Sequence, residues 1–142
     1  MTQHFTPQAK ANYQAKESDT GYQKVIGYLP AAHGLTLAQN DTIEMVKMPV
    51  GAIVTDLRLI TGSLGTSVTA SVGDASTAAR YLSAEDVSAG INKEWDTHLS
   101  GIPYVITSSE PYITVTLAAA NPEDNIAIAV IVGYVNGVDI TP

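Results

Sequence analysis

The sequence predicts an all-β fold: a single β-sandwich or jelly roll with an extended N-terminal arm. Three observations carry that expectation. Charged residues are only 15% of the chain, whereas helix-rich proteins cover their exposed faces with Glu, Lys and other strong helix formers. Thr, Ser, Val, Ile and Ala recur between frequent Gly and Pro, the composition of short strands joined by turns. Several segments also alternate apolar and polar residues with a period of two, as a strand does with one face on a core.

The division expected is an arm at 1–21 and a β-sandwich domain at 22–142. The arm is polar, with Phe5 and Tyr13 as its large apolar groups, too little surface to offset the entropy of ordering it. It reads either as a frayed terminus or as an arm that orders on a neighbour. In the second reading Phe5, Tyr13 and Tyr22 are anchors and Lys10 and Lys16 supply charge, making these five the candidate contacts with a neighbouring subunit. Through Lys24 the segment holds Lys10, Lys16 and Lys24 against Glu17 and Asp19, a net of +1, which leaves −8 for the rest of a chain of net −7. A slightly basic arm leaving an acidic body is suited to an acidic neighbour.

Strand signals then follow at short intervals. Lys24 to Leu29 is stopped by Pro30, and Thr42 to Met48 by the turn Pro49-Val50-Gly51. In Ala52 to Thr61, Ile53, Leu57 and Leu59 are expected on one face and Val54, Asp56 and Arg58 on the other. Thr66 to Val72 sets Val68, Ala70 and Val72 against Ser67, Thr69 and Ser71, before a Gly73-Asp74 turn and a short strand at Ala79 to Leu82. Ser83 to Leu99 reads as a long, partly helical connection with Ser83 as a helix N-cap. Within it, Trp95 reads as a plug over the end of the sandwich in preference to an exposed contact. Tyr112 to Leu117 alternates again. Asn125 to Val135 is apolar on both faces, so it is central in a sheet or part of a subunit interface. Ala127, Ala129 and Ile131 are the candidate interface residues.

Chemistry is harder to place. With a net charge of −7 and a pI near 4.6, the chain lacks the clustered cations that phosphate binding needs, so neither nucleic acid nor a membrane is an expected partner. No cysteine is present, which removes thiol catalysis and thiolate metal sites. His4, His33 and His98 stand far apart, with no metal-ligand spacing. No Gly-x-Ser-x-Gly or phosphate-binding glycine motif occurs. The adjacent acids Glu85-Asp86 and Glu123-Asp124 read as solvated surface. Asp74, Glu123 and Asp124 are loop oxygens of the kind calcium prefers, without the spacing of a calcium loop. No catalytic residue, metal site or cofactor is expected, and the chain does not read as an enzyme. The opening residues lack a basic-then-apolar leader, so synthesis in a cytoplasm without a signal peptide is expected.

Two stretches carry a resemblance. Asp41 to Val54 runs through a strand and a Pro49-Val50-Gly51-Ala52 turn into a longer strand. Ser71 to Leu82 contains a Val72-Gly73-Asp74 turn leading to Tyr81-Leu82. Together with the closing Ile126 to Val135 they resemble the small structural proteins of the head-gene region of tailed bacteriophages. The resemblance covers roughly residues 40–135 and implies a head decoration (cement) protein. Such a protein binds the outer surface of an assembled capsid and stabilises it, with the major capsid protein and copies of itself as partners. It implies a virion location and a homo-oligomer, a trimer ahead of a dimer. The arm has no counterpart in that pattern. The alternative is a phage tail, fibre or receptor-binding β-sandwich module, whose expected heptad stalk or repeats are absent.

Overall fold

The computed structural model describes residues 2–6, 22–95 and 104–135. Among them are ten strands: β1 (Gln3–Phe5), β2 (Tyr22–Leu29), β3 (Thr42–Lys47), β4 (Ile53–Thr61), β5 (Thr69–Gly73), β6 (Leu82–Asp86), β7 (Ile91–Glu94), β8 (Tyr104–Val105), β9 (Tyr112–Ala118) and β10 (Ile128–Val135). They form two sheets, one ordered β1-β3-β9-β5-β6 and the other β2-β10-β4-β7, with β8 also paired to β4.

The connectivity identifies the fold as a jelly roll. With β1 and β8 set aside, the first of the eight remaining strands pairs with the last (β2 with β10) and the second with the seventh (β3 with β9). The third pairs with the sixth (β4 with β7) and the fourth with the fifth (β5 with β6). All four pairings are antiparallel. Such nesting is a long hairpin rolled on itself, the two interlocked Greek keys of an eight-stranded jelly roll.

Period-two alternation decides which side chains meet inside. The first sheet contributes Ile43, Ala70, Val72, Ile113, Val115 and Leu117, and the second Leu57, Leu59, Ile128, Val130 and Val132, all buried. Tyr81, Trp95 and Tyr104 close one region of the core, with Tyr81 edge-on to Trp95 at 4.8 Å and to Tyr104 at 6.2 Å. Trp95 is 4% exposed, so it is a core residue and not a surface contact. The two sheets meet where β2 passes β3. There a Cβ on Gly27 would lie 2.5 Å from the Met45 carbonyl oxygen, so only glycine permits the approach.

Four local expectations are corrected. Residues Leu82–Asp86 and Ile91–Glu94 are strands, not a partly helical connection. The register of β5 with β6 shifts between Ala70 and Val72, and Ala84, at φ 47°, donates its N–H to Ser71 Oγ at 2.9 Å. That left-handed residue at a bulge breaks a helical turn at its first opportunity. The short strand starts at Leu82, since Arg80 closes a turn on Thr77. The alternating segment begins at Thr69, since Val68 closes a turn onto Gly65. In β4 the faces of the first two residues are exchanged: Gly133 pairs with Asp56 but Tyr134 with Val54, which leaves Thr55 as an extra residue. This bulge turns Val54 into the core and Ile53 outward, an inversion that strict alternation cannot foresee.

Gly27→Ala is expected to destabilise the protein by about 1–3 kcal/mol, the usual cost of overpacking. Urea unfolding is the measurement, and an unchanged midpoint would contradict the close approach of β2 to β3.

Candidate functional site

The N-terminal strand is held to the sandwich by polar contacts. β1 lies parallel to β3, with Gln3, His4 and Phe5 opposite Thr42, Ile43 and Glu44. Asp41, only 3% exposed, gathers three donors. Its Oδ1 accepts the Thr2 N–H at 2.8 Å, and its Oδ2 accepts the Ala38 N–H at 3.0 Å and lies 2.9 Å from His4 Nε2. Burial works against ionisation of Asp41, but the bonds from His4, Thr2 and Ala38 outweigh it and hold the carboxyl below its ordinary range. Glu44 is equally buried, accepting from the Gln3 amide at 2.9 Å and from Thr114 Oγ1 at 3.0 Å. Here burial wins and pushes the carboxyl up, with the like charge of Glu110 adding to it. Thr6 completes the attachment, its hydroxyl donating to the Met45 carbonyl at 2.6 Å.

Beside this strand lies a groove of about 440 Å³ on the outer face of the first sheet. Thr42, Glu44, Thr114 and Thr116 line its floor, and Ala75 and Ala78 form part of its wall. The wall is the loop after β5, and Asp74 organises it. Asp74 Oδ1 accepts the Thr77 N–H at 2.8 Å and the Ser76 N–H at 3.2 Å, while Oδ2 accepts from Arg80 Nε at 2.6 Å. The Arg80 guanidinium sits 3.8 Å from the centre of the Tyr104 ring. Gly73 is required because a side chain there would run into the Thr77 carbonyl and the Ala78 backbone. The Val-Gly-Asp turn thus shapes a loop that folds back on its sheet. Asp74 spends its oxygens on that loop, and Asp124 places Oδ1 3.4 Å from the Leu37 N–H.

No group of three or more His, Asp or Glu side chains gathers to hold a metal among the described residues. Asp96 and His98 lie outside them.

The residues singled out from sequence separate into distinct places. Phe5 is on β1, 38% exposed, with its ring edge-on to Tyr112 at 6.1 Å. Lys10, Tyr13 and Lys16 lie outside the described residues. Tyr22 begins β2 and is exposed, its hydroxyl end lying over Gly133 on the outer face of the second sheet. Ala129 and Ile131 stand half-buried on that same face, in the central strand β10. Ala127 precedes β10, where its carbonyl accepts the Gly62 N–H at 3.1 Å. Sequence reasoning missed Asp41 and Glu44. The one available signal was two acids flanking the apolar Ile43 at the start of a strand, facing a polar segment rich in donors.

No protein-family model matches the sequence, and no curated protein matches it. Among solved structures the chain is similar to a chain of the cyanophage Pam1 capsid asymmetric unit. The two are 25% identical over 85% of this chain and 89% of that one, with a TM-score of 0.68. It also shares its fold with a chain of the capsid of Ralstonia phage GP4, at 19% identity over 96% of this chain and 99% of that one, with a TM-score of 0.72. The jelly roll described above is therefore a fold found in phage capsid structures, matched across most of its length.

Asp41→Ala removes an acceptor that serves three donors and is expected to cost about 2–3 kcal/mol, with faster amide exchange in β1. The pH trends of the two acids are opposite. The contribution of Asp41, with its lowered pKa, is complete above the ordinary carboxylate range and is lost as pH falls through the lowered value. Glu44, with its raised pKa, withdraws stability as pH rises from the ordinary value through the raised one. In thermal melts between about pH 3 and 8, Glu44→Gln should therefore melt no lower than the parent at neutral pH, and Asp41→Asn should melt lower.

Proposed function

We propose that this chain is a structural virion protein that binds the outer surface of an assembled phage capsid and stabilises it, as a decoration (cement) protein does. The observation that carries the reading is the similarity to a chain of the Pam1 capsid asymmetric unit across most of both chains. The physical character of the molecule agrees with that role. The jelly roll offers rigid faces, a groove and a polar N-terminal attachment, and its buried acids serve structure in place of catalysis. A protein that binds only the assembled lattice stabilises it by mass action, and a homo-oligomer with several weak contacts multiplies their effect. The partners are the major capsid protein and further copies of this chain. The segment between β1 and β2, with Lys10, Tyr13 and Lys16, contacts the capsid, flanked by Phe5 and Tyr22.

Two experiments test the proposal. Purified protein at micromolar concentration should pellet with expanded heads depleted of it, and should raise the temperature at which those heads open. Protein that stays in the supernatant removes the decoration reading. Replacing Lys10 and Lys16 together by Glu should weaken head binding several-fold to about tenfold, with the difference shrinking at high salt. An unchanged affinity would take the arm out of the contact.

A further inference from the structure

The outer face of the second sheet is unusually apolar. Six large hydrophobic side chains remain exposed among the described residues, and four of them, Tyr22, Ile26, Tyr28 and Val105, stand on this face. Register sets them in rows. One row crosses four strands, from Tyr22 through Val135 and Ile53 to Val105. In the others Ile26 lies beside Ile131, and Tyr28 beside Ala129 and Ile60. A sheet face left to water turns polar residues outward, and the outer face of the first sheet is polar throughout this region, with Thr42 and Thr116 half-buried and Glu44 and Thr114 buried beside β1. On the second sheet, between the first of these rows and the Ile26 row, Lys24 and Asp56 stand on either side of Gly133, two opposite charges set within the apolar surface. An exposed apolar surface of this extent marks an interaction site.

We infer that a second copy of this chain covers this face. The charges on it are Lys24 and Arg58 against Asp56 and Glu94, two of each sign, so the face is neutral on a chain of net charge −7. The net negative charge therefore lies on other surfaces, through which two copies repel one another. Arg58 already pairs with Glu94 and Asn92 of its own chain, so covering the face does not strand those two charges. Four strands at ~4.8 Å spacing and eight residues at ~3.3 Å rise make a face of roughly 19 by 26 Å. With side-chain relief its area is of the same order as the ~800 Å² that each partner gives to a standard interface. The inference deepens the capsid reading and rests on it for the gain from several simultaneous shell contacts, while self-association itself is measured without any capsid.

Analytical ultracentrifugation of the full chain tests it. The parent should sediment as a homo-oligomer. Ile26→Glu, which would bury a charge in the contact, should weaken association by at least about tenfold. Ala79→Glu, at an exposed site in the loop after β5 of the other sheet, should leave association unchanged. Ile26→Thr keeps a β-branched strand former and should fold like the parent while associating less, so it decides the matter if Ile26→Glu does not fold. A parent that is monomeric at about 100 μM, or a folded Ile26 variant that associates like the parent, overturns the inference. A monomer that pellets with heads sinks this inference alone. An oligomer that ignores heads sinks the capsid reading alone.

Discussion

The register between β2 and β10 is the constraint on which the rest of the sandwich depends. Eight consecutive pairs, from Leu29 with Ile128 to Tyr22 with Val135, join the first strand of the roll to the last. Side chains alternate faces along a strand, so a slip of one residue would move Val130 and Val132 out of the core and Ile131 into it. The same register brings β10 against β4 and so fixes which residues of three strands face outward. Core composition and outer-face composition are thus two readings of one pairing. Gly27 and Gly133 are the points where that pairing leaves no room for a side chain: one faces the Met45 backbone, the other lies under the Tyr22 ring.

Much of this architecture was legible in the sequence, because β3, β4, β9 and β10 are long runs whose pattern and bounding turns agree. What escaped depended on partners distant along the chain. The bulge at Thr55 exists because β4 must match Gly133 and Tyr134 of β10, and no local pattern in Ala52 to Thr61 announces it. Leu82–Asp86 carries helix-compatible residues and becomes a strand because β5 offers it an edge and a Ser71 hydroxyl. Propensity is a weak prior where pairing decides. The outer face of the second sheet was half visible: Ala129 and Ile131 were marked by the two-faced pattern of their strand, whereas Ile26, Tyr28 and Val105 join them only through register.

The N-terminal strand teaches a different lesson. Its composition argues against order when only apolar surface is counted, yet Gln3–Phe5 is a strand of the first sheet. Thr2, Gln3, His4 and Thr6 each supply a donor, or in the case of His4 a partner, to Asp41, Glu44 or the Met45 carbonyl. Buried carboxylates are costly unless they are met by such groups, so the acids need the strand as much as the strand needs the acids. A compositional boundary drawn at residue 21 could not register that dependence.

Rolling the chain so that its first and last strands become neighbours also sets a schedule. The strand that fills the middle of the second sheet is the last of the ten to leave the ribosome. Until it arrives, β2 and β4 have no shared neighbour, and their greasy surfaces stand open to solvent. Folds dominated by such remote pairings acquire their structure slowly, over milliseconds to seconds, and the half-made chain is at its most adhesive in that interval. The surplus of negative charge then acts as a chaperone of sorts, keeping nascent molecules apart until the final strand slots between its two neighbours.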